Sequence, residues 1–174
     1  MTKVLTLIII GLLSFSMFSM LAPLIDAEEW PKKLTTNPYE DHCPCWSPDG
    51  SKILYTAKSD DWYQAVWIMN ADGTNKMKIS DGIRHVQGPG QARFSPDGTR
   101  IVFVEWTWET NHRIYVMDSD GSNIKQLTFE PDPIYTDQYP NWSPDGTKII
   151  FGHSRPGEGH LYTMDRFNRI KAVN

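Results

Sequence analysis

The sequence predicts an all-β chain assembled from a repeated unit of four short antiparallel strands, and three observations carry that expectation. A pentapeptide recurs at a fixed interval, as WSPDG at 46–50, FSPDG at 94–98 and WSPDG at 142–146, each copy starting 48 residues after the one before. A second block, WIMNADGTN at 67–75 and YVMDSDGSN at 115–123, keeps the same interval and returns shortened as YTMDRFNR at 162–169. Seven Trp, seven Tyr, seven Phe, twelve Gly and twelve Pro supply the aromatic strand formers and the turn residues that such units need.

The first 27 residues differ in kind from the rest. Lys3 precedes an apolar run from Val4 to Leu21, and the boundary reads Ile25-Asp26-Ala27, the order of a signal peptide cut after Ala27. The stretch from Val4 to Ile25 is long enough to span a bilayer if it stays attached. The expectation is therefore an exported chain that meets a membrane only through this segment. Residues 28–40 should hold one strand and a linker, because Trp30-Pro31-Lys32-Lys33-Leu34-Thr35 matches the later strand ending Ile124-Lys125-Gln126-Leu127-Thr128.

Each repeat can be followed residue by residue. A strand ends in Trp46, Phe94 or Trp142 and enters Ser-Pro-Asp-Gly, where Pro presets φ and Gly50, Gly98 or Gly146 supplies φ > 0. Next come the apolar runs Ile53-Leu54-Tyr55, Ile101-Val102-Phe103 and Ile149-Ile150-Phe151, which read as buried strands. A third strand carries Met69, Met117 or Met164 into an Asp-Gly turn, a strong hairpin signal. The fourth ends in Ile79-Ser80, Leu127-Thr128 or Ala172-Val173. Four antiparallel strands in such a period match a propeller blade, which gives three tandem blades over about 41–80, 89–128 and 137–174 plus one extra N-terminal strand. Trp46, Phe94 and Trp142 should be equivalent core residues.

The pattern W-S-P-D-G-x-x-I, then aromatic-x-M-[ND]-x-D-G-x-N and finally L-T, resembles the repeat of TolB-type periplasmic propellers over residues 41–174. The resemblance implies four-stranded blades and a protein-binding role in the periplasm, the cell envelope or outside the cell. Related propellers cap prolyl-oligopeptidase-like enzymes, but no G-x-S-x-G elbow occurs here. Closed propellers use four to eight blades, so three do not close alone, and a homodimer completing a six-bladed ring is expected. Two other readings stay open: a fragment of a longer propeller gene without independent function, and a degraded relative of propeller lyases that act on oligogalacturonate with clustered His and a metal.

A formal charge of −4 leaves no basic footprint for nucleic acid. The long segments between second and third strands, at 57–65, 105–112 and 152–160, should share one face with the blade-to-blade connections. Trp62, Tyr63, Trp106, Trp108, His112 and Arg155 fall in them, and exposed aromatics with Arg suit a protein surface, or a carbohydrate. The alternative is that some rings fold back onto the blades. Asp49, Asp97 and Asp145 read as turn residues rather than catalytic or metal-binding carboxylates, and Asp118 to Asn123 reads as a hairpin turn rather than a calcium loop. Cys43 and Cys45 should share one strand face about 6.5–7 Å apart, at or beyond disulfide reach. His42 with two thiols falls short of a zinc site, so no metal, cofactor or catalytic residue is expected.

Overall fold

The computed structural model describes residues 31–58, 64–80, 91–107 and 111–165, without the side chains of 106 and 107. The signal segment therefore lies outside the described residues, as do Trp62, Tyr63 and Trp108. The chain divides into two compact units, Met1–Lys33 and Leu34–Asn174, and every sheet belongs to the second.

Eleven strands form three separate antiparallel sheets among the described residues. The first blade has β1 (Asp41–Trp46), β2 (Lys52–Lys58), β3 (Gln64–Asn70) and β4 (Met77–Lys78). The second has β5 (Arg93–Phe94), β6 (Arg100–Thr107), β7 (Asn111–Asp118) and β8 (Lys125–Gln126). The third has β9 (Thr136–Trp142), β10 (Lys148–Arg155) and β11 (Glu158–Asp165), and the fourth strand expected near Ala172-Val173 lies outside the described residues. Residues 32–37 join none of the three sheets. This is an all-β partial propeller.

The Ser-Pro-Asp-Gly turns explain themselves. In the first, the Gly50 N–H donates to the Ser47 carbonyl (2.9 Å) at φ 70°, while Asp49 Oδ1 accepts from Ser47 Oγ (2.6 Å) and the Ser51 N–H (3.0 Å). Asp97 and Asp145 make the same bonds with Ser95 and Thr99, and with Ser143 and Thr147. These hydrogen bonds, led by the serine hydroxyl, hold the carboxyls of Asp49 and Asp145 down to about 2 from 3.8. A depressed carboxyl stabilises the fold above its unfolded pKa, and that contribution is lost as pH falls through the folded value. The double variant Asp49→Asn, Asp145→Asn is expected to flatten the pH dependence of unfolding between pH 4 and pH 2, read from denaturant midpoints.

Packing follows the period-2 alternation of β2, β6 and β10. One face of the first blade, Leu54, Val66 and Ile79, joins Ile101, Phe103 and Met117 of the second in one core. The second repeats this with Val102, Ile114 and Val116 against Ile149, Phe151 and Met164 of the third. No core cluster joins the first blade to the third among the described residues. Within each blade one ring pair stacks across the central hairpin: Tyr55–Trp67, Phe103–Tyr115 and Phe151–Tyr162, with centroids 6.4, 5.7 and 6.1 Å apart.

Three expectations change. Trp142 is 7% exposed, but Trp46 is 58% exposed, because the Trp142 indole packs on the preceding blade and among the described residues no blade precedes the first. Segment 152–160 is not an irregular loop but the tight end of the β10–β11 hairpin, where Pro156 precedes Gly157 at φ 83°, as a type II turn requires. Cys43 and Cys45 do not alternate regularly along a strand. Cys43 has φ 53° and the pairing slips between His42 and Cys45, a bulge in which two residues oppose one. Both thiols are free.

Candidate functional site

The ring pairs define a common frame, and the next cross-strand position toward the long-loop face differs in every blade. It holds Ala57 opposite Ala65, Glu105 opposite Arg113, and His153 opposite His160. The scaffold repeats while the chemistry at this level does not. In the second blade, burial pushes the Glu105 carboxyl above its ordinary value, against a hydrogen bond with Tyr115. Burial also pulls the Arg113 guanidinium down, opposed by Asp137.

The third blade turns this level into a cleft. Arg113 and Asp137 are fully buried, and the guanidinium donates to the carbonyls of His112 (2.8 Å), Tyr135 (2.7 Å) and Glu130 (2.9 Å), with Nη1 4.0 Å from Asp137 Oδ2. It thereby clamps the connection that leads into β9. Asp137 Oδ1 lies 2.7 Å from His153 Nδ1, so a ligand's approach to the imidazole is directed to Nε2. The His153 ring stacks on Tyr135 (4.8 Å, 6°) and meets the edge of Tyr162 (5.2 Å, 75°). Arg155 lies over Tyr135 at 5.5 Å and donates from Nε to Glu158 Oε2 (2.7 Å), whose other oxygen is 3.2 Å from His160 Nε2. Tyr135, His153, Arg155, Glu158, His160 and Tyr162 border an open cleft of about 260 Å³.

The arrangement offers groups that can bind and orient a ligand. The hydroxyls of Ser154 and Thr136 bond each other (3.0 Å). Among the described residues no three His, Cys, Asp or Glu side chains are placed to hold a metal ion.

Of the residues singled out from the sequence, Arg155 lies in this cleft. His112 stands next to Arg113, its Nδ1 3.0 Å from Asn111 Oδ1. The backbone of Trp106 pairs with His112, and its side chain lies outside the described residues. His153 and His160 fall within segment 152–160, which the sequence assigns to the long-loop face, whereas Asp137, Tyr135 and Arg113 were not singled out from the sequence. Aligning the repeats on their ring pairs is the signal that finds this level.

No protein-family model matches the chain, and no curated protein matches it. Solved structures do. A putative TolB from Agrobacterium tumefaciens is 25% identical, with a TM-score of 0.61, over 76% of this chain and 48% of its own. TolB from Acinetobacter baumannii is 25% identical, with a TM-score of 0.62, over 79% of this chain and 33% of its own. An oligogalacturonate lyase in complex with manganese is 13% identical, with a TM-score of 0.56, over 76% of this chain and 40% of its own, a likeness of fold. The chain spans less than half the length of the TolB chains it matches. With repeated blades, common junctions and these likenesses, the chain has a TolB-like β-propeller fold.

Proposed function

We propose that this chain is an exported, non-enzymatic binding module of the cell envelope, and that its long-loop face holds a protein partner at the third-blade cleft. One observation carries the reading. At the level where the first blade has two alanines, the third presents two imidazoles, with a guanidinium, a carboxylate and a tyrosine at their side, fixed from beneath by a buried Asp–Arg pair. Preorganised aromatic and Arg side chains of this kind are favoured interface anchors. The same chemistry suits sugar hydroxyls, so carbohydrate is the competing ligand class. A second copy of the chain is a further partner, seated on another surface.

The test is photo-crosslinking from position 158 in intact cells, compared with Arg155→Ala and Tyr162→Ala in the same background. Both side chains are exposed or half-exposed, so unfolding midpoints should hold while recovery of the crosslinked protein falls by at least about tenfold. Unchanged crosslinking in both variants rejects the cleft. Loss of crosslinking on adding neutral or acidic oligosaccharides assigns it to carbohydrate.

A further inference from the structure

Both blade junctions among the described residues are made the same way, and the same residues carry both halves of one more junction. A Cβ built on Gly98 would sit 3.6 Å from Pro48 Cδ, and one on Gly146 would sit 3.5 Å from Pro96 Cδ. Each Pro thus rests on the next blade's turn. A Cβ built on Gly50 would meet nothing within 4 Å, and among the described residues no turn follows the third blade's for Pro144 to rest on. Trp142 Nε1 reaches back to the Arg93 carbonyl (3.3 Å), whereas Trp46 is exposed. Conversely, Leu54 and Val102 are fully buried at the two junctions, while the third blade's equivalent, Ile150, is 40% exposed.

The strand edges repeat the mismatch. The Ile79 N–H donates to the Val66 carbonyl (2.9 Å) and the Val66 N–H donates to Ser80 Oγ (2.9 Å). Leu127 and Thr128 treat Ile114 identically, at 2.8 and 3.0 Å. Leu161 holds this place in the third blade, opposite Gly152 as Val66 is opposite Thr56, and it is 77% exposed. Residues 166–174 contain no Ser or Thr to accept from it, but Leu34-Thr35 is such an apolar–hydroxyl pair. Leu34 already lies where a preceding blade's fourth strand belongs. Its carbonyl oxygen would be 3.0 Å from a Cβ on Gly73, as the Ile79 carbonyl oxygen is the nearest atom over Gly121.

We propose that two copies of the chain join head to tail, the third blade of each covering the first blade of the other, with Leu34-Thr35 completing the edge of the partner's β11. The Leu34 N–H then donates to the carbonyl of the partner's Leu161, whose N–H donates to Thr35 Oγ1. Trp46 Nε1 donates to the carbonyl of the partner's Asn141, and the partner's Pro144 rests on Gly50. The two junctions are equivalent by twofold symmetry, the strand addition is β-augmentation, and six blades fall within the range that closes. The occupant is a second copy because the chain itself shows twice what covers each face.

Light scattering after size exclusion of the protein as recovered from cells should give twice the mass of one chain at micromolar concentration. Leu161→Lys changes a side chain exposed in the single chain, so the circular dichroism spectrum should hold while the dimer dissociation constant rises by at least about tenfold. Leu34→Lys, at a half-buried side chain that packs on the first blade's core, should weaken the dimer by a similar factor. Mixing the two variants places both changes at one junction and leaves the other intact, which should restore dimers. The fluorescence lost in Trp46→Phe should be shielded from acrylamide in the dimer and open to it in Leu161→Lys. A single-chain mass for the unsubstituted protein, a dimer indifferent to Leu161→Lys, or variants that do not complement on mixing would each overturn the proposal.

Discussion

Replacing Asp137 with alanine is expected to cost about 3–5 kcal/mol, because the change leaves the Arg113 guanidinium buried without its carboxylate. Arg113 and Asp137 are fully buried, and the guanidinium also donates to the His112 carbonyl and to the carbonyls of Glu130 and Tyr135 in the connection into the third blade. Removing the anion therefore loosens that connection as well as uncovering a charge. The same substitution frees His153, which Asp137 holds by Nδ1 at 2.7 Å. Denaturant unfolding measures the loss, and the imidazole resonances of His153 report the detachment. Asp137→Asn keeps a hydrogen-bond acceptor and should lose less. If Asp137→Ala lowers stability by under about 1 kcal/mol, the range of an ordinary hydrogen bond, the pair does not organise the cleft.

Trp142→Ala should cost about 3–5 kcal/mol, as buried aromatic deletions do, whereas Trp46→Ala in the single chain should fall within about 0.5 kcal/mol, as surface changes do. Both residues precede Ser-Pro-Asp-Gly, and nothing in their local sequence separates them. The difference is positional. Trp142 sits in a core shared with Val102, Ile114 and Val116 and bonds a carbonyl of the blade before it, while among the described residues no blade stands before Trp46. Unfolding at low protein concentration gives the single-chain values. A Trp46→Ala cost that appears only as concentration rises belongs to the dimer, and a large cost independent of concentration contradicts the exposure of this indole.

The turns and strands were legible because their determinants are local. Pro and Asp set the Ser-Pro-Asp-Gly bends, Gly supplies φ near 70°, and the alternation of Ile, Leu, Val and Phe assigns each strand's faces. The same regularity misled at Trp46, since a repeat in sequence does not reveal whether a neighbour exists in space. It also misled at 152–160, where Pro156-Gly157 continues the hairpin that length and polarity suggested was a loop. Cys43 departs for a third reason. The slip in pairing that gives it φ 53° recurs at Tyr139 (φ 58°), and both residues precede a Pro, which within sheets is confined to edges and bulges.

The cleft was legible in pieces only. Arg155, His153 and His160 lie close in sequence, but Asp137 and Tyr135 come from β9 and its approach, and Arg113 comes from another blade. By itself the sequence determined the unit: four antiparallel strands, their turns and the number of copies, all of which depend on contacts within about 48 residues. Tertiary structure alone decided which copies of an identical motif are core and which are surface, and which titratable side chains meet. Burial and charge pairing depend on what the neighbouring blade places within a few ångströms, and that neighbour is fixed by packing across the junction rather than by the residues on either side in the chain.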